Sequence, residues 1–184
     1  MNRGILFAVV IALAWSGLTN GCRRAADTSQ LSTVDSLQTI MDRMLNTLMN
    51  LDQHVYVVSD SILKVRAENY NELFSDTLDR ATADALANQY LVLREAEHVE
   101  HDHLDLQREI ASTQQRLTDL RNDLFSGAME NVSVLTALAS ERHRAGAIEH
   151  ATAMIASNHF TIKRSLEELS RTDSLLTGTS IDQQ

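Results

Sequence analysis

From Val34 onward, apolar residues recur in alternating steps of three and four: Val34, Leu37, Met41, Met44, Leu48, Leu51, Val55, Val58, Ile62 and Val65. An unbroken apolar seam of this period predicts a helix with coiled-coil-like packing. Ser32, with Asp35 three residues on, is the expected N-cap. The pattern fails at Asn69 and Glu72. The turn-forming groups Asn69-Tyr70-Asn71 and Ser75-Asp76-Thr77 place a first hairpin near 70–77. A second register runs Leu78, Thr82, Ala85, Gln89, Val92, Ala96, Val99, His103, Leu106, Ile110, Thr113, Leu117, Leu120, Leu124. It stops at Gly127, a residue suited to a left-handed helix C-terminus. A third runs Val134, Leu138, Glu141, Ala145, Ile148, Thr152, Ile155, His159, Ile162, Leu166, Leu169, Asp173, Leu176. Gly146 lies inside it and is expected to weaken or bend the helix.

Composition sharpens this picture. The chain has 184 residues, with Pro 0, Cys 1 and Gly 6. So few helix breakers favour long helices, and the absence of proline argues against a loop-rich sandwich or barrel. One cysteine excludes an intrachain disulfide framework and an all-cysteine zinc site. The predicted fold is all-α: an elongated antiparallel three-helix bundle over 31–177, with helices at about 32–69, 76–125 and 129–176. Residues 178–184 form a loose tail. The alternative is a four-helix bundle with the third helix broken near Gly146.

The first residues carry a different message. Met1-Asn2-Arg3-Gly4 is a short basic start, and Ile5 to Leu18 is an uncharged, mostly apolar run of 14 residues. That falls short of the roughly 20 residues that span a bilayer, and it suits the apolar core of a secretory signal. Leu18-Thr19-Asn20-Gly21-Cys22 follows, holding the only cysteine. Over Met1 to Cys22, and no further, the chain resembles a bacterial lipoprotein precursor. Gly21 fits that pattern. The Leu usual three residues before the cysteine is displaced by one, with Thr19 in its place and Leu18 behind it. The resemblance implies a cleaved signal peptide over 1–21, acylation of Cys22 (palmitate among the chains), and a short polar tether over 22–30. It also implies a cell-envelope location. Arg23 after the cysteine, where Asp would signal inner-membrane retention, points to the outer membrane.

The formal net charge is −9, and losing the signal with its single charge, Arg3, takes it one unit further negative. Phosphates would repel such a chain, so nucleic acid is not an expected partner. Arg23 and Arg24, beside the anchor, are the exception and suit lipid headgroups.

Candidate chemistry centres on Glu95-Ala96-Glu97-His98-Val99-Glu100-His101-Asp102-His103-Leu104-Asp105. Glu95/His98 and Glu100/His103 have the Glu-x-x-His spacing of di-metal helical bundles. The third helix lacks that motif, and the seam register puts His98 and His101 on the outer face, so a core di-metal site is not expected. His98, His101, Asp102 and Asp105 remain as a surface patch with spacings of three and four, which meet on a helix. The patch is either a weak divalent-metal site or a set of solvated His–Asp contacts. No other cofactor is expected. Hairpin arithmetic brings His54 and His159 to about the same level mid-bundle. Each is either satisfied separately or part of a polar layer that fixes register.

No glycine-framed nucleophile elbow or glycine-rich phosphate loop occurs, so no catalytic residue is assigned and an enzyme is not expected. Met49, Tyr56, Leu63 and Tyr70 recur every seven residues, about 130° around the first helix from its seam. In a three-helix bundle that stripe faces solvent and marks a partner surface, for an envelope protein or self-association; the alternative is that its long side chains fold back onto the bundle or that the helix is sandwiched in a four-helix arrangement. The expected function is a membrane-anchored, non-enzymatic helical scaffold or interaction module. The alternative is a metal-binding or metal-buffering lipoprotein.

Overall fold

A computed structural model describes residues 27–73 and 80–179, leaving the side chains of 67–73, 82 and 170–179 outside the description. The signal segment, Cys22 and the tether to 26 lie outside the described residues, as do 74–79 and the tail from 180. The chain is all-helical, with no strand among the described residues. Its helices are α1 (Thr28–Met49), α2 (His54–Leu73), α3 (Arg80–Arg94), α4 (Ala96–Ser126) and α5 (Asn131–Thr179).

α1 starts earlier than expected. Asp27, not Ser32, is the cap: its carboxylate accepts from the Ser29 backbone N–H at 2.9 Å and from the Ser29 hydroxyl at 2.8 Å. Residues 28–30, expected in the tether, are therefore helical. α4 ends as expected. Gly127 adopts φ 66°, its N–H donates to the Leu124 carbonyl, and the Ala128 N–H donates to that of Asp123. That pair of bonds satisfies two carbonyls the helix end would otherwise leave free. α5 runs unbroken through Gly146, where an added Cβ would meet nothing within 4 Å. The break near Gly146 on which the four-helix alternative depended is therefore absent.

Cross-helix bonds set directions. Asp35 pairs with Arg121 at 2.9 Å and Asp42 accepts from Gln114 at 2.7 Å, so α1 and α4 run antiparallel. Gln30 donates to Asn131 at 2.9 Å, while the Asp52 carbonyl meets His159 at 3.1 Å, so α5 runs alongside the first stretch in the same sense. Between α4 and α5, Arg116 pairs with Glu141 and Arg144 with Glu109, again antiparallel.

The seam is buried as predicted along α1 from Val34 to Leu48, along α4 from Ala96 to Leu124, and along α5 from Val134 to Ile162. Each fully buried Leu or Ile contributes about 1.5–3 kcal/mol relative to exposure. Two interruptions change the remainder. The first long helix is broken between α1 and α2 without glycine or proline. The Asp52 carboxylate accepts from the His54 N–H at 3.0 Å and caps α2, and Asn50 ends α1. Downstream of the break Tyr56 and Ser59 are buried, Val58 and Ile62 are half-buried, and Val65 is exposed. α2 then continues through Asn69-Tyr70-Asn71, expected in the hairpin, to Leu73. A second interruption at Glu95 separates α3 from α4. Before it, Leu86 and Leu93 are buried where Ala85 and Val92 were expected.

Candidate functional site

The α1–α2 break builds the most distinctive polar cluster in the described residues. It turns Tyr56 inward, leaving it 1% exposed. The Tyr56 ring stands edge-on to His103 of α4, with centroids 6.0 Å apart, and edge-on to His159 of α5 at 5.6 Å. Both histidines are buried. One side chain from each stretch of helix thus meets at one level.

Hydrogen bonding assigns the protons. The Asp52 carbonyl only accepts, so His159 Nε2 carries the hydrogen in the 3.1 Å contact between them. His159 Nδ1 is buried without a hydrogen-bond partner. The Gln107 amide lies 3.1 Å from His103 Nε2 and donates to it, which leaves the Nδ1 proton of His103 for the Tyr56 hydroxyl at 3.3 Å. The Ser59 hydroxyl donates to the Val55 carbonyl at 2.8 Å.

Burial acts on the titration of two members of the cluster, His103 and Tyr56. Burial holds His103 below its ordinary value of 6.5; a hydrogen bond with the Leu48 backbone opposes this, and the neighbouring His159 adds to the lowering. Burial, with a further contribution from the charge of Glu100, pushes the Tyr56 hydroxyl up to about 12. A buried, solvent-excluded, hydrogen-bonded set of this kind suits a register-fixing polar layer. Closer to the α4–α5 turn, an ionic layer serves the same pair of helices. Seam residue Glu141 accepts from Arg116 Nε at 3.1 Å and lies 3.8 Å from Arg144, while Arg116 also donates to Thr113.

His54 and His159 stand at about the same level but do not meet, which is the separate arrangement of the two expected. His54 is exposed, and its backbone N–H is bound by Asp52. His159 meets Tyr56 and His103 instead. The expected stripe fails as one face. Met49 is 67% exposed, Tyr56 is at the centre of the core, Leu63 is half-buried against it, and the Tyr70 side chain lies outside the described residues. The cause is the α1–α2 break, which ends the continuous seven-residue repeat on which the stripe was projected.

His98, His101, Asp102 and Asp105 are exposed on the outer face of α4. His101 Nδ1 lies 3.2 Å from Asp105, and Asp105 also binds Arg108. Asp105 is thus engaged by a guanidinium. Among the described residues no three His, Cys, Asp or Glu side chains converge to hold a metal ion. An open groove of about 520 Å³ between α1 and α5 is lined by Ser32, Ser36, Ile40, Arg142, Gly146 and Glu149, among others. No helix among the described residues is long and apolar enough to cross a membrane. No protein-family model, curated protein or solved structure matches the chain.

Sequence reasoning placed His103 and His159 in their seams but missed Tyr56 as their partner. The signal was present in Asn50 and Asp52, a helix-ending residue and a capping residue two apart in the middle of an apolar repeat.

Proposed function

We propose that the protein is a lipoprotein of the bacterial cell envelope, anchored by acylated Cys22. It acts as a non-enzymatic helical scaffold or protein-interaction module. Its architecture is an elongated antiparallel three-helix bundle with coiled-coil-like packing. The single observation that carries the reading is the placement of the lone cysteine. Cys22 directly follows Gly21 at the end of an uncharged run, and helix begins only six residues later, at Thr28. A lipid on Cys22 therefore tethers a rigid body closely. The 49 residues of α5 give that body a length of about 73 Å at 1.5 Å per residue. The buried polar layers support a structural role, because they bond helix to helix and not to an open surface. Outer-membrane residence and an envelope partner, or a second copy of the chain, belong to the same proposal.

Metabolic labelling with palmitate tests it. The wild type is expected to incorporate label and Cys22→Ser to lose it, with the precursor left unprocessed. Equal labelling of the two would overturn the anchor. Separation of inner and outer membranes by density then reads the location.

A further inference from the structure

The end of the molecule that holds the α4–α5 turn carries three exposed large apolar side chains. Phe125 in the last turn of α4 is 53% exposed, Val132 in the first turn of α5 is 74% exposed, and Leu135 one turn later is 55% exposed. All three fall within about 6 Å of axial rise from the tip, at 1.5 Å per residue. Large apolar side chains grouped at one end mark a contact surface. The same end holds the start of α1, because Gln30 donates to Asn131 at 2.9 Å. Between Cys22 and Thr28 the chain reaches about 20 Å at most, even fully extended. The opposite end lies about 70 Å away along α5. A lipid on Cys22 thus brings this end, and not the other, to the bilayer.

We propose that Phe125, Val132 and Leu135 insert into the interfacial layer of the membrane beside the anchor, setting the bundle upright on one apolar foot. The inference rests on the lipid-anchored reading above. Apart from Arg23 and Arg24 beside the anchor, the charges at this end argue for an apolar contact and not for attraction to anionic lipid. Asp27, Asp123 and Glu130 are exposed there, while Arg121 is held by Asp35 at 2.9 Å with its guanidinium 4.9 Å from the Phe125 ring centre. The occupant is therefore a zwitterionic lipid surface, entered by side chains that carry no charge. One anchor plus one apolar contact also gives more stable attachment than the acyl chains alone.

The test uses the full mature lipoprotein, palmitate-labelled to verify the anchor, in vesicles of phosphatidylethanolamine and phosphatidylcholine. Cys22 is the only cysteine and acylation blocks it, so Ser133→Cys accepts a single fluorophore at the foot and Ser157→Cys one on the exposed shaft. Several-fold stronger quenching by spin-labelled lipid is expected at 133 than at 157, insensitive to salt. Phe125→Glu with Leu135→Glu is expected to reduce quenching at 133 several-fold while palmitate labelling and helicity persist; unchanged quenching at 133 in that variant would mean that the anchor alone holds this end near the bilayer and would overturn the foot. Equal quenching at both positions in a palmitate-labelled protein would overturn the foot and leave the anchor standing. Absence of label would overturn both. Loss of vesicle-free self-association in the double variant, without a quenching difference in the parent, would assign the apolar end to a second copy of the chain and overturn the lipid contact.

Discussion

The part of the molecule formed by α1, α4 and the first two-thirds of α5 obeys its heptad pattern residue by residue, whereas α2 and α3 do not. The irregular part is not poorer in apolar residues than the regular one. The difference is contrast. Along α4, seam residues such as Leu106, Ile110 and Leu117 stand among Gln107, Arg108, Glu109, Gln115 and Arg116, so only one phase of the helix can be buried. In α2, Val55-Tyr56-Val57-Val58 offers four consecutive apolar residues, and in α3 Tyr90-Leu91-Val92-Leu93 offers four more. Several rotations of such a helix bury comparable apolar area. A local cap or a partner side chain then decides among them.

The largest expected effect lies in the regular part. Ile110→Ala or Leu117→Ala removes a fully buried seam side chain. Each is expected to cost about 2–5 kcal/mol in urea denaturation. A much smaller loss would mean that this part collapses around the cavity and is no better packed than α2.

Tyr56→Phe probes the interrupted part. The ring contacts with both histidines survive, but the hydrogen bond between the Tyr56 hydroxyl and His103 is lost, leaving the His103 ring the Leu48 backbone as its acceptor. Loss of one such bond costs about 0.5–1.5 kcal/mol. No loss of stability would return Tyr56 to the exposed stripe and erase the difference between the two parts.

Acid should act through the same layer. His103 has its folded-state value lowered, chiefly by burial, so the unfolded chain binds its proton first. The stability tied to its neutral ring is complete above pH 6.5 and falls as pH drops from there toward the lowered folded value. The denaturation midpoint of the wild type is expected to decline over that window, and that of His103→Gln to decline less. Identical pH profiles would show that the layer does not exclude the charged ring.

Smaller effects come from the surface. Gly146→Ala, in a continuous helix with open space at the Cβ position, is expected to raise stability by about 0.5–1 kcal/mol. Destabilisation there would reveal a bend at this glycine in solution. Val65→Ala is expected to change stability by no more than about 0.5 kcal/mol, because Val65 is exposed despite its seam position. A cost near that of Leu117→Ala would mean that the first seam continues unbroken and α2 is as regular as α1.

Much of the candidate site was legible in outline. The 3–4 spacing put His103 and His159 in the core, and the antiparallel hairpin at Gly127 brought their helices together. Their partner was not legible, since Tyr56 lies one residue out of the seam and becomes a core residue only after Asp52 restarts the helix. The Arg116 partner of Glu141 was equally hidden, because an arginine beside a seam serves solvent or a buried carboxylate with the same sequence signature.

Amino-acid order alone determined the helical class, the Gly127 turn, the seam residues of α1, α4 and α5, and the cysteine behind an apolar run. Each of these depends on local chemistry: helical period, glycine's access to positive φ, or the contrast between adjacent apolar and charged residues. Tertiary structure decided the rotation of α2 and α3, the inward turn of Tyr56, and the unbroken course of α5 through Gly146. Those outcomes depend on which surfaces face one another across the bundle. Only there do the Asp52 carbonyl and His159, 107 residues apart in sequence, come close enough to satisfy each other.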